Sequence, residues 1–257
     1  MKLLLAKLFV ALSLAGSALT FGVFTPKPTV PVSALNRFET AQMQTVLLRT
    51  EDGGQGSGVV VKRTNPSGEV RFFVWTAAHV VEGFTDIEVV RIGRENGTRI
   101  ECELTWCAVV IAVSKEMDVA LLWVHIPSEF VMPVEFEFNL PRVGDPIIHI
   151  GNYYGEAYDG SVAVGIVSMI GVHPRTFPDW PWLVLDQTDA LVVPGSSGGG
   201  IFDANGRVLG IVVGLHTPGI GLYVPVRELL KWSEVSGTTW ALKLDWCPAD
   251  DALLPHS

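Results

Sequence analysis

From about residue 42 the chain alternates short runs of Val, Ile, Leu and Thr with clusters of Gly, Pro, Asn and Asp. Short β-branched runs bounded by turn formers read as strands. A first group is expected over 45–49, 58–63, 70–76, 86–92, 98–106 and 108–114. A second is expected over 146–150, 162–172, 182–185, 208–213 and 221–225. Turn signals lie between them, as in Asn65-Pro66-Ser67-Gly68 and Asp203-Ala204-Asn205-Gly206, where Gly and Asn supply the conformations a tight turn needs. Helical spacing is confined to 226–234, which places Val226, Leu229, Leu230 and Trp232 toward a core. The intervening 126–142 carries Pro127, Pro133 and Pro141 and reads as a linker between the two groups. Many short strands with little helix predict an all-β sandwich or barrel.

The first residues follow another pattern. Lys2 and Lys7 precede an uncharged apolar stretch over 8–24, the arrangement of an export signal. Its length is also near the lower limit of a membrane-spanning helix. Both readings, a cleaved peptide and a retained anchor that associates the chain with a membrane, remain open. Either implies an exported, extracytoplasmic protein. Three prolines over 25–33 make that stretch an extended tether. The remainder, about 220 residues, suits one all-β domain or two fused barrels sharing a core.

Composition narrows the partners. Hydrophobic residues make up 48% of the 257 and charged ones 18%, with a formal net charge of −9. A phosphate-tracking surface needs clustered Lys and Arg, so nucleic acid is not expected as a partner. The three cysteines, Cys102, Cys107 and Cys247, lack the paired spacing of a zinc site, and neither metal nor cofactor is called for. A Cys102–Cys107 bridge is conceivable across a tight hairpin.

Three segments carry candidate chemistry: Trp75-Thr-Ala-Ala-His79, Met117-Asp118-Val-Ala, and Pro194-Gly-Ser-Ser197-Gly-Gly. Hydroxyl attack on an amide needs a base near pH 7 and a carboxylate to hold that base in the right tautomer. The developing oxyanion needs pre-aimed N–H donors, which a glycine-bearing turn can bring close. His79, Asp118 and Ser197 fit the first roles. The turn Gly195, Ser196 and Ser197 fits the last, through the amides of Gly195 and Ser197. Alone, each piece is commonplace, since a lone His is usually structural and a Gly-Ser run is usually a loop. Their order, His then Asp then Ser, is that of one particular two-barrel peptidase architecture.

Taken together, Gly56-Ser-Gly-Val-Val60, Thr76-Ala-Ala-His-Val-Val81, Asp118-Val-Ala-Leu-Leu122, Ile150-Gly-Asn152, Gln187-Thr-Asp-Ala190, Pro194-Gly-Ser-Ser-Gly-Gly199 and Gly219-Ile-Gly-Leu-Tyr-Val-Pro225 resemble the trypsin/chymotrypsin superfamily, and within it the HtrA/Deg-type protease domain. The resemblance implies two six-stranded antiparallel β-barrels with a short C-terminal helix. It implies a serine endopeptidase acting on protein or peptide substrates, with a first barrel over about 42–125 and a second over about 143–226. The protease domain would run over 35–235, after a leader over 1–34 and before a tail over 236–257 that leaves no room for a PDZ domain. By the same pattern Leu191 is the floor of the specificity pocket and Val213, Gly214, Leu215 and Gly221 are its walls, which implies small or medium apolar P1 residues. Asp189 is implied to be structural, and His216 keeps an acidic P1 as a minor alternative. The family also implies a homo-oligomer. It usually carries Asn where Ser196 stands and Pro where Gly200 stands. The rival reading is a protease fold used as an inert binding module.

Overall fold

The computed structural model describes residues 35–95, 98–173, 183–217, 219–243 and 245–253, leaving the side chains of Glu95, Glu101, Leu215 and His216 aside. The leader over 8–24, the expected pocket wall Leu215 as a side chain, and the start of the strand expected at 182–185 lie outside the described residues.

Two closed barrels form, each of six antiparallel strands. The first contains β1 (Thr45–Arg49), β2 (Gln55–Thr64), β3 (Val70–Thr76), β4 (Asp86–Glu95), β5 (Thr98–Ser114) and β6 (Val119–Val124), in the order β1-β2-β3-β6-β5-β4. The second contains β7 (Pro146–Tyr153), β8 (Tyr158–Val172), β9 (Leu185–Thr188), β10 (Gly200–Phe202), β11 (Val208–Thr217) and β12 (Ile220–Pro225), in the order β10-β11-β12-β9-β8-β7. Closure removes the open strand edges that a sandwich would leave. One buried cluster joins both barrels: Val59, Phe73 and Trp75 from the first meet Ile150, Phe202 and Ile211 from the second.

Several local features depart from the sequence expectation. The runs 98–106 and 108–114 form a single strand, β5, whose pairing with β6 shifts register between Val110 and Ala112. Cys102 and Cys107 therefore sit five positions apart along one extended strand, about 16 Å at ~3.3 Å per residue. Both are free thiols. A hairpin bridge is ruled out by geometry. Helix α1 (Arg37–Gln44), absent from the periodicity reading, has a complete capping box: Asn36 accepts from Glu39 N–H while the Glu39 carboxylate accepts from Asn36 N–H. The signal was present as Asn36-x-x-Glu39. Short helical turns α2 (Ala78–Val81) and α4 (Trp240–Lys243) flank the expected α3 (Val226–Ser236).

Described residues of the stretch expected as a C-terminal tail are buried. Trp240, Ala241, Leu242, Cys247 and Leu253 all belong to the joint core. Trp240 packs edge-on against Phe73 with centroids 4.7 Å apart, and the buried Arg63 donates to the Trp240 and Ala241 carbonyls at 2.6 and 2.7 Å. Likewise the Pro-bearing linker is stitched down, with Val134 N–H on Val60 O at 2.7 Å and Val208 N–H on Glu135 O at 2.8 Å.

Candidate active site

Strand β3 is apolar over Phe72–Trp75, and Thr76, Ala77 and Ala78 after them are all buried. The chain then makes the single turn α2, which lifts His79 out of the core. Asp118 comes from the turn between β5 and β6 and has φ 53, a left-handed conformation that Asp tolerates better than most residues. Its carboxylate is buried and reaches His79 twice. Oδ1 accepts the His79 backbone N–H at 2.9 Å, and Oδ2 lies 2.7 Å from Nδ1. A carboxylate accepts only, so Nδ1 carries the proton and Nε2 is left as the basic nitrogen. The imidazole itself is 46% exposed. Burial opposes its charge, but the hydrogen bond and charge of Asp118, aided by Glu82, outweigh that and raise its pKa above the ordinary 6.5.

Ser197 lies on the turn that leads into β10. Its carbonyl accepts Ser57 N–H at 2.7 Å, and the hydroxyl of Ser57 donates to Gly195 O at 2.8 Å. Gly198 presses so closely on β2 and β3 that a Cβ there would sit 2.0 Å from Ser57 O and 3.1 Å from Ala77 N. The serine turn is thus locked against the segment that ends in His79. Among the described residues the Ser197 hydroxyl makes no hydrogen bond to the imidazole.

The orientation of the turn follows from peptide planarity. Pro194 C=O accepts Tyr154 N–H at 2.8 Å, so the Gly195 N–H of the same peptide points the opposite way. Ser196 C=O accepts Gly199 N–H at 3.0 Å, which turns the Ser197 N–H outward in the same manner. Neither amide donates to any described acceptor. Gly195 has φ 89, and a Cβ on it would fall 2.3 Å from Asn152 O, so only glycine fits. The Ser196 amide is instead consumed within the turn by Val193 O at 3.1 Å, and its hydroxyl bonds the same residue. Ser196 therefore shapes the turn and offers no free donor.

The pocket residues divide. Leu191, expected as the floor, is 53% exposed at the surface, and its carbonyl accepts from Tyr153 Oη at 2.8 Å. The side chain that lies against Gly221 is Val192, 2.6 Å from where a Gly221 Cβ would stand, with Thr188 beside it. Leu191 and Val192 lie in the loop that follows β9, where Val192 is buried and Leu191 is not. Val213 is buried, and open space lies above Gly214. Asp189 accepts Ile166 N–H at 2.7 Å and is occupied structurally. Beyond Val212, β11 pairs only with β12 among the described residues. Past that point its other edge meets no described strand.

Sequence reasoning missed Ser57, Thr76 and Asn152. The Asn152 amide group, 1% exposed, bonds Val46 O and Ser57 Oγ across the two barrels at 2.9 and 3.1 Å. Thr76 Oγ1 donates to Ser57 O at 2.7 Å. Their motifs were visible; their partners, about a hundred residues away in the case of Asn152, were not. A concavity of about 280 Å³ between Glu137, Pro141, Asp145 and Arg207 contains none of the predicted site residues. No cluster of three or more metal-binding side chains occurs among the described residues.

Two closed six-stranded barrels, with a histidine–carboxylate pair and a glycine-framed serine turn where they meet, define the chymotrypsin-like class of fold. The family model described as trypsin-like peptidase domain matches residues 56–211, and the chain belongs to that family. A serine protease described as HtrA-like from Staphylococcus epidermidis is 30% identical over 190 residues, 70% of this chain and 30% of that protein. A probable periplasmic DegP-like serine endoprotease from Brucella suis is 32% identical over 194 residues, 70% of this chain and 34% of that one. The crystal structure of a serine endoprotease from Yersinia pestis superposes with a TM-score of 0.59 at 25% identity, covering 80% of this chain and 67% of that one. The chain spans about a third of the length of these two relatives.

Proposed function

We infer that this chain is a serine endopeptidase in which Ser197 is the nucleophile, His79 the general base and acid, and Asp118 the group that orients the imidazole. The observation that carries this reading is the double hold of Asp118 on His79, which leaves Nε2 as the only free basic nitrogen of the ring. The Ser197 Oγ proton passes to Nε2 as Oγ bonds the scissile carbonyl carbon. The resulting oxyanion is met by the amides of Gly195 and Ser197. His79 then returns the proton to the leaving amine, the C–N bond breaks, and water repeats the sequence on the acyl-enzyme. The substrate lies extended along the edge of β11 at Val213–Gly214, as an added strand. Val192 closing on Gly221 makes the pocket shallow and apolar, which favours small or medium apolar P1 residues.

Like its DegP-like relative, which is described as periplasmic, the protein would work outside the cytoplasm. Among the described residues no helix is long and apolar enough to cross a membrane. Digestion of casein by the full chain tests the proposal. Wild type cleaves, with fragments ending mainly in Val, Ala or Leu, and Ser197→Ala abolishes both cleavage and fluorophosphonate labelling. Because Asp118 raises the His79 pKa, kcat/KM climbs with pH through a midpoint above 6.5. An unlabelled wild type would favour the inert binding module, and cleavage mainly after Arg or Lys would overturn the pocket assignment.

A further inference from the structure

The turn that aims the Gly195 amide is held by Tyr154 N–H, and Tyr154 belongs to a short loop with its own restraints. Tyr154 has φ 54, and a 3₁₀ turn over Gly155–Ala157 follows it. Every polar group of Glu156 is tied to the first barrel. Its N–H donates to Gln55 Oε1 at 3.0 Å, its carboxylate pairs with Arg49, and its carbonyl accepts from Arg99. Gln55 and Arg49 stand opposite each other in register across the β1–β2 hairpin. They form one device. Arg49 is anchored in turn by Glu88 and Glu103 at 2.6 and 2.8 Å. Gly155 has φ 75, and a Cβ on it would fall 1.4 Å from Gln55 Oε1, so this glycine makes room for the glutamine.

We propose that Gln55 and Arg49 are positioning residues: from the first barrel they hold the loop over 154–157 so that Tyr154 N–H fixes the Pro194–Gly195 peptide with its N–H ready for the oxyanion. The proposal rests on the assignment of Ser197 as nucleophile. Neither residue touches the reacting atoms. Without the clamp the 154–157 loop loses its tie to β2, the Tyr154–Pro194 bond is released, and the peptide is free to rotate its amide away. Loss of one complete oxyanion donor costs ~10²–10³ in kcat, and a partly populated donor costs less.

In the full chain, Gln55→Ala is expected to lower kcat ~10–100-fold with KM changed less than threefold, and to weaken a peptide boronate with an apolar P1 by the same factor as kcat. Gln55→Glu, which keeps an acceptor in place, recovers most of the loss. Arg49→Met acts in the same direction and is not additive with Gln55→Ala, because both hold Glu156. Backbone amide resonances of Gly195 and Ser197 supply a readout independent of turnover. If wild type cleaves nothing, yet Gln55→Ala shifts those resonances, the peptidase reading fails and the clamp stands. Unshifted resonances, or kcat and boronate affinity within twofold of wild type in a folded Gln55→Ala, overturn the clamp.

Discussion

His149 is a buried imidazole with no part in the proposed reaction, yet it lies directly beneath the serine turn. Its Nδ1 donates to Gly200 O at 3.1 Å, and its Nε2 is buried without a described partner. Ring and backbone leave no room for more, since a Cβ on Gly199 would stand 3.0 Å from His149 Cε1. Burial drives its pKa down to about 4. The folded protein thus resists a proton that the unfolded chain accepts near 6.5. Stability from this group is complete above about 6.5 and is lost as pH falls toward 4, by roughly 3 kcal/mol at most. His79 has the opposite sign, its contribution being lost only as pH rises above 6.5. The two windows do not overlap. In His149→Asn the wild-type fall in unfolding free energy between pH 6.5 and 4 should shrink, whatever the absolute stability of the variant. Parallel pH curves for the two proteins would refute the assignment.

At the scale of elements, an ion pair adds to the apolar face of α3, Val226 and Leu229, in joining that helix to the second barrel. Both guanidinium nitrogens of Arg227 reach Asp186, at 2.7 and 2.6 Å, and Asp186 is completely buried. Planar bidentate pairs of this kind combine charge with geometry. The hydrogen bond to Asp186 holds the Arg227 pKa above its usual value in spite of burial. Arg227→Met leaves a buried carboxylate with, among the described residues, only the Gly171 N–H, at 2.9 Å. Such orphaned charges cost about 3–5 kcal/mol, measurable as a lower urea midpoint at unchanged slope. Adding Asp186→Asn should recover part of that loss. A single-variant penalty under ~1 kcal/mol would mean the pair contributes little. The helix itself was legible in the spacing of Val226, Leu229 and Leu230, whereas Asp186 was not, because nothing local to β9 marks its partner on another element.

For the molecule as a whole, the two barrels are expected to unfold as one unit, because their apolar interiors merge and the C-terminal stretch belongs to the shared cluster. Trp240 covers Phe73, and the Trp75 indole N–H donates to Ala241 O at 3.3 Å. Cys247 N–H and Thr64 O complete the closure at 3.0 Å. Truncating a buried aromatic in such a place costs about 3–5 kcal/mol. Trp240→Ala should therefore lower the unfolding free energy by that amount in a single cooperative transition. Separate transitions for the two barrels would contradict a shared core.

What the sequence determined by itself was local: alternation that makes strands, glycines that permit turns, and three short motifs in a telling order. Such features depend on neighbours within a few residues, so the string of letters contains them. Tertiary structure alone decided which groups meet across the chain. It sent Leu191 outward and Val192 inward, joined Cys102 and Cys107 into one strand, and folded the supposed tail into the core. It also brought Ser57 to Gly195, Tyr154 to Pro194 and Gln55 to Glu156. Each such meeting is set by strand register and barrel closure, where every buried polar group must find a partner. No residue carries that information before the barrels close.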